Sequence, residues 1–310
     1  MKNRFKSWPV LFSVVLSPWL LACDDEIKLN TSGSSPVLNV DAWVNNKSEP
    51  QTIKLTWTQD YFENSKLPPG VSGAKVSIQD DSGTVFYFSE KTSSGSGFYT
   101  WQPGNGQVLG SPGRTYQLIV EYKGETFLSS CKVGRVPKID SLSYKYEEGQ
   151  GFIQDEYRAE FWATDPVGSG DTYWIKTFKN GTFMNKASEL NIAYDAGISA
   201  GSGFDGVTFV SPIRSKINPN EEDSDGRRKA PIVYGDSLYV EIHSISLAAF
   251  NYFNEVIDQT DKNGGLAELF NSTPIANVSS NLVNKNPNGS GVVGFFNVAM
   301  VSGKGKKLSN

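Results

Sequence analysis

The sequence predicts a mainly β protein: an Ig-like or transthyretin-like β-sandwich, then a second β-rich domain carrying one amphipathic helix. Short apolar–polar alternations recur at regular spacing, as strands with one buried face require. They are punctuated by Gly, Pro, Asn and Asp, which supply turn conformations. Helical periodicity persists in one stretch alone, so helices are the exception.

The strands follow in order. Residues 37–44 open the sandwich. In residues 51–57, Ile53, Leu55 and Trp57 alternate with Thr52, Lys54 and Thr56, so one face is apolar. Residues 74–78 and 84–88 are joined by Asp80-Asp81-Ser82-Gly83, a hairpin turn in which glycine supplies positive φ. Residues 97–101, 116–121 and 126–129 bring the count to about seven, the number of an Ig-like sandwich. Residues 102–113, rich in Gly and Pro, make the longest irregular loop of this part. A domain boundary is expected at residues 136–141, where Pro137 fixes the exit angle and keeps its neighbour out of the helical region.

The second domain begins with strands at 157–162 and 172–178, the latter turning at Asn180-Gly181. A further strand at 238–243 puts Leu238, Val240 and Ile242 on one face and Tyr239, Glu241 and His243 on the other. Ser246 is placed to cap the helix. Leu247, Phe250, Phe253 and Ile257 form its apolar face, and Asn263-Gly264-Gly265 ends it. Residues 291–300 form a last apolar strand. The expected organisation is 1–22 signal peptide, 23–36 tether, 37–136 sandwich and 137–310 C-terminal domain.

The N-terminus supplies an address. Lys2, Arg4 and Lys6 precede an apolar run over residues 8–21, too short to span a bilayer, which takes roughly 20 apolar residues. Basic, apolar and small-residue regions in this order make a secretory signal. Leu20-Leu21-Ala22-Cys23 resembles the bacterial lipobox, which implies acylation of Cys23 and anchorage in outer-membrane lipid. Two or more acyl chains anchor stably where one does not. Asp24, Asp25 and Glu26 resemble the acidic signal that sends Bacteroidetes lipoproteins to the cell exterior, and the Ser/Gly-rich residues 31–36 read as a flexible tether.

Composition narrows the chemistry. Cleavage before Cys23 takes the net charge from −4 to −7 by removing the three basic residues. With no basic cluster beyond Arg227-Arg228-Lys229, nucleic acid is not an expected partner. The second of two cysteines, Cys131, is expected to be a small buried hydrophobe. The one histidine, His243, rules out a His-rich metal site, and its strand pattern makes it an outward residue rather than a catalyst. Asp223-Ser224-Asp225-Gly226 starts like a calcium loop, but Arg227-Arg228-Lys229 occupies the place of the later ligands, so a charged surface loop is expected. Glu147-Glu148 and Glu221-Glu222 are adjacent pairs that point apart on a strand rather than into one glycosidase site. No catalytic residue, metal or cofactor is expected. Of the many aromatic residues, Tyr61 and Phe62 beside Pro68-Pro69, and then Trp101 at the mouth of the 102–113 loop, are the candidate contacts for a ligand or partner.

One resemblance covers nearly the whole mature chain. It runs through residues 38–43, Gln59-Asp60-Tyr61-Phe62, residues 71–76, Gly97-Phe98-Tyr99, residues 136–141, Gly235-Asp236-Ser237-Leu238 and Val293-Gly294-Phe295-Phe296. The series resembles an uncharacterised family of Bacteroidetes outer-membrane lipoproteins, domain of unknown function 4249, often encoded beside TonB-dependent receptors. The resemblance implies a non-enzymatic accessory or ligand-capture subunit of a TonB-dependent transport system. The alternatives are a free-standing adhesin or glycan-binding lipoprotein and, third, a surface hydrolase.

Overall fold

The structure, a computed structural model, describes residues 35–60, 66–91, 95–104, 106–149, 155–222, 228–260 and 277–309. Its first seven strands are β1 (Leu38–Asn45), β2 (Gln51–Trp57), β3 (Lys75–Asp80), β4 (Val85–Glu90), β5 (Phe98–Trp101), β6 (Thr115–Tyr122) and β7 (Glu125–Lys132). Each lies where the alternation placed it. In β1, Leu38, Val40, Ala42 and Val44 are buried while the intervening side chains are not. The described chain is mainly β.

These strands make a sandwich whose layers are joined at one corner. One layer has the order β5-β2-β1 and the other β3-β6-β7. β4 belongs to both: Val85–Phe88 pair with β3, and Ser89 and Glu90 pair with β5. A strand that changes sheets is how such corners are made. The enclosed core includes Ile53, Leu55, Ile78, Tyr99, Leu118 and Val120. Tyr99 also satisfies a loop, its hydroxyl donating to the Val71 carbonyl (2.9 Å) and accepting from the Ala74 N–H (3.1 Å).

The C-terminal half contains a hairpin, β8 (Ile139–Glu147) with β9 (Glu156–Ala163), and a sheet. The sheet has β10 (Thr172–Lys179) flanked by β11 (Thr182–Phe183) and β12 (Asn191–Tyr194) on one edge and β13 (Ser237–Ile245) on the other. β14 (Val283–Asn284) and β15 (Val292–Ala299) do not stay in this half. β14 extends the β7 edge and β15 pairs in parallel with β1, from Leu38 opposite Val292 to Asn45 opposite Ala299. β16 (Val301–Lys307) then returns to pair with β13. The expected division at 136/137 is therefore not a division of the fold by chain order, and residues 36–310 form one unit. Pro137 marks the passage between sheets, and β8 begins two residues later, inside the stretch read as a boundary.

Two α-helices are present among the described residues. α1 (Ser211–Ser215) is short, with a proline in its first turn, and has too few residues to show a period. α2 (Leu247–Thr260) is the expected amphipathic helix, and the Ser246 hydroxyl caps it by accepting from the Ala249 N–H (3.2 Å). Its buried face is Ala249, Phe250 and Phe253, whereas Leu247, assigned to that face from the sequence, is 53% exposed. At 3.6 residues per turn Leu247 lies to one side of the stripe formed by Ala249, Phe250 and Phe253.

The two outer edges of the sandwich, β7 and β15, meet without a backbone ladder. Side chains close the seam: the Ser280 hydroxyl donates to the Gly294 carbonyl (2.9 Å), and the Asn281 amide both donates to and accepts from Phe296. The Cys131 sulfur accepts the Val298 N–H (3.4 Å). Cys131 is buried as expected, and burial pushes its thiol up to about 11. Little thiolate forms at neutral pH. Iodoacetamide is expected to leave Cys131 unmodified in the native protein and to label it in denaturant, read by mass spectrometry. Native labelling at a rate matching free cysteine would contradict the seam.

Candidate functional site

Cys23, Asp24, Asp25, Glu26, Tyr61 and Phe62 lie outside the described residues, as does the 223–226 loop. Trp101 is described, and its expected role does not survive. It is 8% exposed, and its ring meets that of Phe86 edge-on at 5.1 Å in the sandwich core. β5 points Trp101 inward with Tyr99. Glu221 pairs with Lys186 and Glu147 lies 3.9 Å from Lys145, so neither acidic doublet builds a site.

The densest polar chemistry lies on the face of β10, β13 and β16 turned away from the Tyr173–Ile175–Val240–Ile242 core. Register sets three rows across this face, because directly opposed residues share a side of the sheet. Trp174 lies opposite His243 and Val301, Lys176 opposite Glu241 and Gly303, and Phe178 opposite Tyr239 and Gly305.

The first row is covered. Trp43 and Phe253 pack on Trp174 at 5.7 and 4.7 Å, bringing β1 and α2 over the sheet. His243 is on the side the alternation assigned, yet it is 4% exposed rather than outward, because this cover arrives from distant parts of the chain.

In the second row Glu241 is 2% exposed and accepts from Lys47 Nζ (2.8 Å) on one oxygen. Its other oxygen lies 2.8 Å from His243 Nε2. Burial works to raise the Glu241 carboxyl, but the bonds from His243 and Lys47 outweigh it and hold the group at about 2. Burial pushes the His243 imidazole down to about 4 against the pull of Glu241. No hydroxyl or thiol side chain bonds to His243 among the described residues, so the pair is a fixed structural dyad. Lys176 is also depressed by burial, to about 8, and its ammonium sits 3.9 Å above the Trp174 ring centre. Among the described residues it has no ion-pair partner.

Three carboxylates gather elsewhere. Asp165, Asp195 and Asp205 bring one oxygen each within 4.8 Å of the others, a hard donor set of the kind Ca²⁺ takes. Each of these carboxylates already accepts hydrogen bonds from the chain itself. Tyr173 donates its hydroxyl to Asp165 (2.6 Å), Gly170 and Asp171 donate backbone N–H groups to Asp195, and Gly168 donates to Asp205. The cluster pins two loops to β10. Burial raises the Asp165 carboxyl and, with Asp165 as neighbour, the Tyr173 hydroxyl.

One loop so pinned forms a wall of a cleft of about 540 Å³. The opposite walls are residues 130–135 and the first turn of α2. Arg135 and Asp171 neutralise each other across 2.6 Å, leaving Lys132 as the charge in the lining without an ion-pair partner among the described residues. The sequence named Tyr239, Glu241 and His243 as one strand face, but neither the carboxylate cluster nor the cleft. Strand alternation predicted which residues share a face, but the rows and the loops depend on pairing between segments far apart.

Fold and site together define a mainly β protein with a side-chain-sealed sandwich. Residues 24–304 match the family described as a domain of unknown function (DUF4249), and the chain belongs to that family. No curated protein matches the chain.

Proposed function

We propose that the protein is a surface-exposed, lipid-anchored outer-membrane lipoprotein that serves a TonB-dependent transport system as an accessory or ligand-capture subunit, without catalysis. The observation that carries this reading is Leu20-Leu21-Ala22-Cys23 followed by Asp24-Asp25-Glu26 and a Ser/Gly-rich tether. A tether holds its load at high local concentration beside any membrane partner. The fixed Glu241–His243 dyad and the inert Cys131 support binding over chemistry, because the groups that would serve as base or nucleophile are occupied or unreactive.

Two measurements test it. Radiolabelled palmitate is expected to enter the wild-type protein and not Cys23→Ala. Purification in mild detergent is expected to recover a TonB-dependent receptor with the lipoprotein. Recovery of the lipoprotein alone, from cells expressing a receptor encoded beside it, would sink the accessory role.

A further inference from the structure

We propose that the third row on the outer sheet face is a saccharide-binding shelf, with Phe178 and Tyr239 as its stacking surface and Lys176 as the donor at its rim. This deepens the capture role proposed above and rests on it.

The shelf is built across strands. Phe183 and Phe178 lie 5.2 Å apart between ring centres, and Phe178 and Tyr239 lie 6.0 Å apart. Tyr239 remains 40% exposed and both phenylalanines are partly exposed. The neighbouring strand is shaped to fit. A Cβ at Gly303 would come within 2.2 Å of the Tyr239 hydroxyl oxygen, and one at Gly305 within 3.2 Å of its ring. The Tyr239 ring therefore lies along the backbone of β16, over two positions that carry no side chain. Glycines weaken a strand and often mark close approach of another group. Here they let an aromatic ring lie flat instead of projecting from the sheet.

Such a surface suits a sugar. Aromatic faces carry negative quadrupole density, and the C–H groups on one face of a pyranose meet it favourably. The hydroxyls at the sugar's edge then need polar partners. Lys176 lies in the adjacent row, with its ammonium free of any carboxylate among the described residues and 5.7 Å from the Phe183 ring centre. The charges that act on Lys176 are Lys47, Glu241, Asp41 and Glu49. With Lys176 itself that is two cations against three carboxylates, which disfavours a polyanion and leaves a neutral saccharide as the occupant.

The test uses the lipidated full chain in detergent. Affinity electrophoresis through gels containing neutral polysaccharides (glucan, mannan, xylan, galactan) is compared with gels containing heparin. Retardation by at least one neutral polysaccharide is expected, with none by heparin beyond the effect of charge. Tyr239→Ala is expected to weaken the interaction by about tenfold, the scale of losing one good contact. Lys176→Met should weaken it less, and Tyr87→Ala, at a residue 72% exposed elsewhere, should leave it unchanged. Thermal melting checks that each variant is folded, and Tyr239→Phe, which keeps the ring, is expected to retain binding if Tyr239→Ala melts early. The shelf is overturned if no neutral polysaccharide retards the protein, or if Tyr239→Ala binds as wild type. It is also overturned if only heparin binds, or if Tyr239→Ala instead abolishes self-association. Receptor co-purification with no sugar binding would remove the shelf and leave the accessory role standing. Sugar binding without any receptor would do the reverse.

Discussion

Gly294→Ala is expected to lower stability by about 3–5 kcal/mol, the sum of a steric clash in a packed layer and a strained backbone. Gly294 has φ of +117°, and a Cβ there would fall 2.0 Å from the Val40 carbonyl oxygen and 2.6 Å from the Val40 nitrogen. Val40 cannot retreat, since β1 is fixed on its other side by β2, with Val40 opposite Leu55. Marginal stability of about 5–15 kcal/mol makes this a large fraction of the whole. Gly83→Ala is the control: φ is +90° but nothing lies within 4 Å of the added carbon. It should cost only the conformational part, about 1 kcal/mol. Urea midpoints for both variants check the difference. Equal midpoints would mean that β15 does not lie against β1 as described.

Glu241→Ala is expected to cost about 1–3 kcal/mol, because it leaves the buried N–H of the neutral His243 ring without its acceptor. Lys47 is partly solvated and can turn to water, so His243 bears most of the loss. The same pair sets a pH dependence. The imidazole has a folded value near 4 against an ordinary 6.5, so the unfolded chain binds a proton that the folded chain refuses between those values. Stability contributed by the neutral ring is present above pH 6.5 and is lost as pH falls toward 4, with a slope of at most about 1.4 kcal/mol per unit. Glu241, held at about 2 against 4.5, adds stability that is present above pH 4.5 and lost as pH falls toward 2. His243→Gln should remove the first component and shrink the second, which His243 helps to set alongside Lys47. Denaturant titrations from pH 7 to 3 measure both, and parallel wild-type and His243→Gln curves would contradict a buried neutral histidine.

What the sequence made legible was mostly periodic. β2 matches the expected residues 51–57 end for end, and Ser246 caps the helix, because period and capping are local properties. β16 escaped notice for the same reason. Val301–Lys307 carries glycine and lysine, poor strand residues in themselves, and is held in the sheet by β13 rather than by propensity. Trp101 shows the limit for single side chains: its place beside a Gly/Pro-rich loop suggested exposure, while the alternation Tyr99–Trp101 already pointed it inward. His243 was assigned the right face and the wrong environment, because the cover comes from Trp43 and Phe253. The aromatic shelf needs the register of three strands, and the glycines beneath Tyr239 have meaning only once that register is known.

The parallel pairing of β1 with β15 bears on how the chain comes to be folded. β1 is the first of the described strands to be synthesised, yet one of its two neighbours is made of residues 292–299. Until those arrive, an apolar strand stands with one row of backbone groups unpaired, which is an invitation to wrong pairing. Contacts so distant in sequence also slow folding. The last strands thus act as a completion signal: a chain interrupted anywhere before Val292 lacks the strand that shields its own beginning, and should surface as an aggregation-prone fragment rather than a smaller working protein.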